Sequence, residues 1–138
     1  MMTTKLSGDL LQQQIGKAAV LVEALPYMQG FRGQTFVVKV GGSAMEDAEL
    51  VEKLLRDVVF LEAVGVNPVL VHGGGKAISE AMRREGLEAK FIGGLRVTDE
   101  AAISIVEKTL GESINPALVV GIEKFGGRAS GVPGREVF

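Results

Sequence analysis

Cysteine is absent from the chain, so neither a disulfide framework nor a thiolate metal centre can be built from it. Histidine occurs once, at His72. No carboxylates cluster around it in sequence, so no metal site is expected. No stretch approaches the ~18 uninterrupted apolar residues of a membrane span. The amino terminus lacks the basic head, apolar run and small-residue cleavage site of a secretory signal. These absences lead to the expectation of a cytoplasmic protein without a membrane partner. A basic excess is missing too: 15 Lys and Arg stand against 17 Asp and Glu, a net charge of −2, which argues against a nucleic-acid partner. What is present is glycine, 19 residues of it, in a chain of 138 residues that is 46% hydrophobic, enough for the core of about one domain.

The chain is organised around Val69-Leu-Val-His-Gly-Gly-Gly-Lys76. A short apolar run precedes the glycines and residues at helical spacing follow them, so the glycines fall where a strand passes into a helix. Such a turn lets the main chain approach a ligand closely, with the N–H groups of the helix start aimed at negative charge. Two familiar phosphate loops do not fit. A P-loop needs Gly at 70 and Ser or Thr at 77, where Leu70 and Ala77 stand. A dinucleotide fingerprint counted from Gly73 needs Gly or Ala at 78, where Ile78 stands.

In chain order, residues 1–7 are polar and expected to fray. Residues 9–28 carry Leu10, Leu11, Ile15, Ala18, Ala19, Val22 and Leu25 at helical spacing. Pro26 is expected to kink or end that helix, and Gly30 to Gly33 form a break. The helix can cover its own domain or pack on another subunit; the sequence leaves both open. Thr35 to Val40 is a β-branched and aromatic run, the mark of a strand buried on both faces of a parallel sheet. Lys39 interrupts it just before Gly41 and Gly42. That lysine either snorkels into solvent or meets an anion at the strand end.

A helix is expected from Glu46 to Val64, ended by Gly65, then a strand from Val69 to His72 and a helix running to Glu85. This is a βαβ unit, with both glycine turns at the carboxyl edge of one sheet, where open α/β sheets bind ligands. A short β excursion with a turn at Gly93 and Gly94 follows, then a helix capped by Thr98 or Asp99, a second helix from Asn115 and Pro116, and a weak strand over Arg128 to Val132. Arg96, beside the glycines, would suit a carboxylate, which it can hold with two parallel hydrogen bonds.

The segments Val38-Lys-Val-Gly-Gly-Ser43, Val71-His-Gly-Gly-Gly75 and Gly94-Leu-Arg-Val-Thr-Asp99, in that order, resemble the amino-terminal half of the N-acetylglutamate kinases of the amino acid kinase family. The resemblance covers residues 9–132. It implies an α/β fold, a three-layer sandwich with a mainly parallel central sheet. It implies ATP-dependent phosphorylation of the side-chain carboxylate of N-acetyl-L-glutamate, in arginine biosynthesis, with Mg2+ accompanying ATP as co-substrate. Lys39 matches the lysine that stabilises the transferring phosphoryl group, and Gly41 and Gly42 the glycines lining the phosphate path. Gly74 and Gly75 match the backbone that binds acetylglutamate, and Arg96 the arginine that grips its other carboxylate. A carboxylate nucleophile is already ionised at neutral pH, so no general base is needed, and His72 is expected only to order its turn.

The extra helix and hinge within residues 1–33 resemble the oligomerising element of the arginine-inhibited kinases, which would join dimers into hexamers and place Tyr27 near the arginine pocket. Residues 34–138 then form the acetylglutamate-binding lobe. Family members run to roughly twice this length, so the chain is expected to be a substrate-binding half, inactive alone and short of most of the nucleotide site. The chain departs from the family at Gly93, where an acidic residue is usual, and at Glu112 and Pro116, where lysines are common. Alternatives are a kinase of a related acylated amino acid such as acetylaminoadipate, or a non-catalytic anion-binding regulatory module.

Overall fold

The computed structural model describes residues 8–137. Residues 1–7, expected to fray, and Phe138 lie outside the described residues. Helix α1 (Gly8–Phe31) opens the chain and buries no residue. It runs past Pro26 to Phe31, further than the expected end near Met28. The proline removes the hydrogen bond to the Val22 carbonyl, but in a helix this exposed water can meet that carbonyl.

The end of α1 is tied down by its turn. Gly33, at φ +78°, donates its N–H to the Gly65 carbonyl at 2.7 Å. The Asn67 side chain donates to the Gly33 carbonyl at 3.0 Å, and Phe31 meets Phe36 edge-on with ring centroids 5.2 Å apart.

Strand β1 (Thr35–Val40) pairs in parallel with β2 (Asn67–His72), Thr35 opposite Asn67 and Val40 opposite His72. Between them runs α2 (Ala48–Ala63), after a 3-10 turn over Gly42–Met45. Asp47 caps α2, its carboxylate accepting from the N–H groups of Glu49 and Leu50, and Gly65 at φ +92° follows its end. Helix α3 (Gly75–Arg84) leaves the triple glycine. A hairpin, β3 (Phe91–Ile92) with β4 (Leu95–Arg96), turns at Gly93 and Gly94, both at positive φ, as a two-residue hairpin turn requires.

Helices α4 (Glu100–Glu107) and α5 (Asn115–Lys124) are joined by a π-helical stretch over Lys108–Ile114. The sequence predicts a separate helix starting here, at Asn115 and Pro116. Instead the backbone stays helical and shifts its hydrogen-bond register. An unbroken α register would drive the Pro116 ring into the carbonyl four residues back; a wider turn just before the proline relieves that conflict.

Two cores result. Leu55 and Val58 of α2 pack with Leu118 and Ile122 of α5, with Leu70 of β2 beneath them. Ile78 and Met82 of α3 pack with Ala102 of α4. The strands are not buried on both faces as expected: Val37, Val69 and Val71, neighbours across one face, are 70%, 47% and 45% exposed. The described residues place a helical layer on the Leu70 face and cover the Val37 face with nothing. The architecture observed is mixed α/β with a small parallel sheet. Arg128 to Val132 forms no strand. The Val132 carbonyl accepts from the Asn115 side chain, and a cleft lined by Val69, Leu70 and Ala129 lies between this segment and β2, so no ladder closes.

Candidate functional site

Parallel pairing of β1 and β2 brings the two glycine turns to one edge of the sheet. The Gly73 N–H donates to the Val40 carbonyl at 3.0 Å, and a Cβ on Gly73 would lie 3.9 Å from the Cα of Gly41. Gly42 takes φ +59°, a conformation costly to residues with a Cβ. Between the turns opens a cleft of about 400 Å³ lined by Gly42, Gly74 and Gly75 together with Met45, Glu46, Lys76, Ala77, Glu80 and Ile114.

The helix facing this cleft is built differently from its neighbours. Asp47 caps α2 and Asp99 caps α4, the latter through a 2.9 Å bond from the Ala102 N–H. Helix α3 has Gly74 at its cap position and receives no side-chain acceptor. Its first N–H groups and the positive end of its dipole are therefore directed at the cleft, where an anion is favoured. Gly74 also sits against the π stretch. A Cβ there would come within 2.5 Å of Ile114 Cδ1 and 2.9 Å of Leu110 Cδ2, so the absence of a side chain lets the stretch form one wall.

Arg96 reaches α3 from the hairpin. Its Nη2 donates to the Gly75 carbonyl at 2.9 Å and to Ser79 Oγ at 2.7 Å. Its Nη1 lies 3.2 Å from Met82 Sδ, and its guanidinium carbon sits 4.8 Å from the centre of the Phe91 ring. The arginine thus stands at the same turn as Gly75, though it does not line the cleft.

Lys39 is placed elsewhere. It lies opposite Val71, exposed on the uncovered face of the sheet, and is not among the residues lining the cleft. Tyr27 is 68% exposed on α1. His72 is half-buried, with Nδ1 3.3 Å from the Gly73 carbonyl, consistent with a role in ordering the turn.

Three charged residues of the cleft, Glu46, Lys76 and Glu80, were not anticipated from sequence. Lys76 Nζ donates to Glu46 Oε2 at 2.9 Å, joining the stretch after the first glycine turn to the helix start after the second. The hydrogen bond to Glu46 and its charge, with a smaller contribution from Glu80, hold the Lys76 ammonium above the ordinary lysine pKa. The signal in sequence was only Lys76 directly after the glycines; its partner stands thirty residues earlier. Among the described residues no group of three or more His, Asp and Glu could hold a metal ion.

Comparison with known proteins matches residues 34–138 to the amino acid kinase family. The acetylglutamate kinase of Akkermansia muciniphila is 60% identical over 124 residues, covering 90% of this chain and 42% of that protein. The acetylglutamate kinase of Halothermothrix orenii is 52% identical over 126 residues, covering 91% of this chain and 43% of that protein. The chain therefore spans about two fifths of the length of these relatives. Among solved structures, the N-acetylglutamate synthase of Neisseria gonorrhoeae, in complex with coenzyme A and L-arginine, superposes with a TM-score of 0.58 at 27% identity, over 84% of this chain and 28% of that one.

Proposed function

The chain belongs to the amino acid kinase family, and from this we propose that it forms the acetylglutamate-binding part of an acetylglutamate kinase, which transfers the γ-phosphoryl group of ATP to the side-chain carboxylate of N-acetyl-L-glutamate. The observation that carries the reading is the pair of glycine turns, set side by side at one sheet edge by the bond from the Gly73 N–H to the Val40 carbonyl and flanked by an uncapped helix start, in a chain 60% identical to such a kinase. In phosphoryl transfer the protein chiefly positions its reactants and neutralises charge spreading over the phosphoryl oxygens. Backbone N–H groups at Gly74 and Gly75 are suited to the substrate end, and those at Gly41 and Gly42 to the phosphoryl path. Arg96, fixed beside Gly75, is our candidate for the second carboxylate of the substrate.

Lys39 is our candidate for the cation that stabilises the transferred charge. It serves if its long side chain rounds the strand end toward Gly41, a short path from its place in β1. Mg2+ would enter with ATP, held mainly by phosphates and water; among the described residues no group of three or more His, Asp and Glu could hold it. The uncovered Val37 face would receive the second layer of a three-layer sandwich. The apolar surface of α1 would pack against further copies of the chain, with Tyr27 near an arginine site.

The test joins this chain to the carboxyl-terminal portion of the Akkermansia kinase that lies beyond the matched region. ATP-dependent acyl phosphate formation is expected from the joined protein and not from the 138-residue chain alone. In the joined protein Lys39→Ala should lower kcat, and Arg96→Ala should mainly raise KM for N-acetyl-L-glutamate, since it removes binding felt equally in ground and transition states. Turnover by the chain alone, or exchanged effects of the two substitutions, would overturn these assignments.

A further inference from the structure

We propose that Ser79 is a positioning residue for Arg96, setting which edges of its guanidinium a carboxylate ligand can reach. Ser79 stands one turn into α3, and its hydroxyl donates to the Gly75 carbonyl at 2.9 Å. The same oxygen accepts from Arg96 Nη2 at 2.7 Å, and Nη2 also donates to the Gly75 carbonyl at 2.9 Å. Nη2 thus has both of its acceptors on α3. The guanidinium can grip a carboxylate with two parallel bonds along only two edges, Nε with Nη2 or Nη1 with Nη2, and each includes Nη2. With Nη1 also turned toward Met82 Sδ, both terminal nitrogens are held by α3, and these contacts set the edge that a ligand meets.

The hairpin alone could not hold such a pose. It consists of two strands of two residues each, with Ile92 and Leu95 74% and 77% exposed. A free arginine side chain carries substantial rotamer entropy, which any ligand that fixes it must overcome. The hydroxyl of Ser79, together with the Gly75 carbonyl and the Phe91 ring, restricts that freedom before a ligand arrives, so part of the ordering cost falls on folding and not on binding. Threonine can supply the same oxygen from a helix, because its Oγ1 also bonds the carbonyl one turn back. Alanine cannot, yet it favours the helix, so Ser79→Ala should fold.

The inference rests on the reading of Arg96 as a carboxylate-holding group, and the experiment separates the two. N-acetyl-L-glutamate is titrated by calorimetry into the 138-residue chain and into Ser79→Ala, Ser79→Thr and Arg96→Ala. In parallel, nitrogen-15 NMR follows the Arg96 Nε–H resonance, identified by its loss in Arg96→Lys. Ser79→Ala should weaken binding about tenfold, the worth of one charge-assisted hydrogen bond, and move the resonance toward its random-coil position. Ser79→Thr should preserve both. If Ser79→Ala keeps its affinity while Arg96→Ala loses it, or if Ser79→Thr fails as badly as Ser79→Ala, the positioning role is overturned and the Arg96 reading stands. If the unaltered chain does not bind, or Arg96→Ala binds as the unaltered chain does, the reading of Arg96 falls. The resonance in Ser79→Ala then still decides whether the hydroxyl holds the arginine, and an unmoved resonance overturns the positioning role outright.

Discussion

At the scale of single residues, Lys76 shows how a site acquires a charge arrangement that no local motif announces. Its ammonium, on the helix start after the triple glycine, meets Glu46 on the stretch after the first turn at 2.9 Å. Both side chains are largely exposed, 60% and 42%, so the bridge adds little to stability under ordinary conditions and can exchange for another partner. Its signature is electrostatic: Glu46, by hydrogen bond and charge, raises the Lys76 pKa. A folded-state value raised above the unfolded one contributes stability that is complete below the unfolded pKa and is lost as pH rises through the folded one. The loss therefore falls in the alkaline range above the ordinary lysine value. Glu46→Gln should bring the Lys76 titration, followed by NMR of its side chain, back down toward that value. An unchanged titration would show that the bridge does not form in solution.

At the scale of elements, the triple glycine and the π stretch depend on each other. The space a Cβ on Gly74 would need is filled by Ile114 Cδ1 and Leu110 Cδ2. Gly74→Ala should lower stability by about 1–3 kcal/mol through overpacking, and Ile114→Val, which deletes that Cδ1, should restore part of the loss. Thermal melts of the two single variants and the double variant measure the coupling; strictly additive losses would mean the two groups do not touch. Features set by neighbours in sequence were legible beforehand: β1 over Thr35–Val40, the Gly93-Gly94 hairpin and the Asp99 cap each follow from a few adjacent residues. The same holds for the shared edge of the two glycine turns, since a strand, a helix and a second parallel strand leave no other place for them. The π register was not legible, because Asn115 and Pro116 read as the start of a separate helix and only the folded backbone shows a helix that continues. The bonds from Arg96 to Ser79 and from Lys76 to Glu46 were hidden for a related reason: each joins residues seventeen or more positions apart, and such pairs become neighbours only once the chain is folded.

At the scale of the whole molecule, α1 poses the plainest physical question. It is a helix of 24 residues that buries none of them. Leu10, Leu11, Ile15 and Leu25, the expected stripe, are each about half exposed, and Val20, Leu21 and Val22 are 64%, 63% and 69% exposed. Of the two fates the sequence left open, folding back onto its own domain is not what the structure adopts. An isolated helix in water is marginal even with good helix formers, and an apolar surface of this extent is rarely left in solvent. The turn at Gly33 and Gln34 fixes its end to β1 and β2 by backbone bonds, so the helix projects from the domain and does not dangle from it. A second copy of the same helix offers a matching apolar surface, and a two-fold contact closes on itself without exposing a new one. We therefore expect association to depend on α1. Sedimentation velocity of the chain with and without residues 1–28 should give a larger species for the longer form, with a concentration dependence the shorter form lacks. If both sediment as monomers, the helix does not assemble this chain; if both sediment as the same oligomer, another surface, with the uncovered Val37 face first among them, is the one that does.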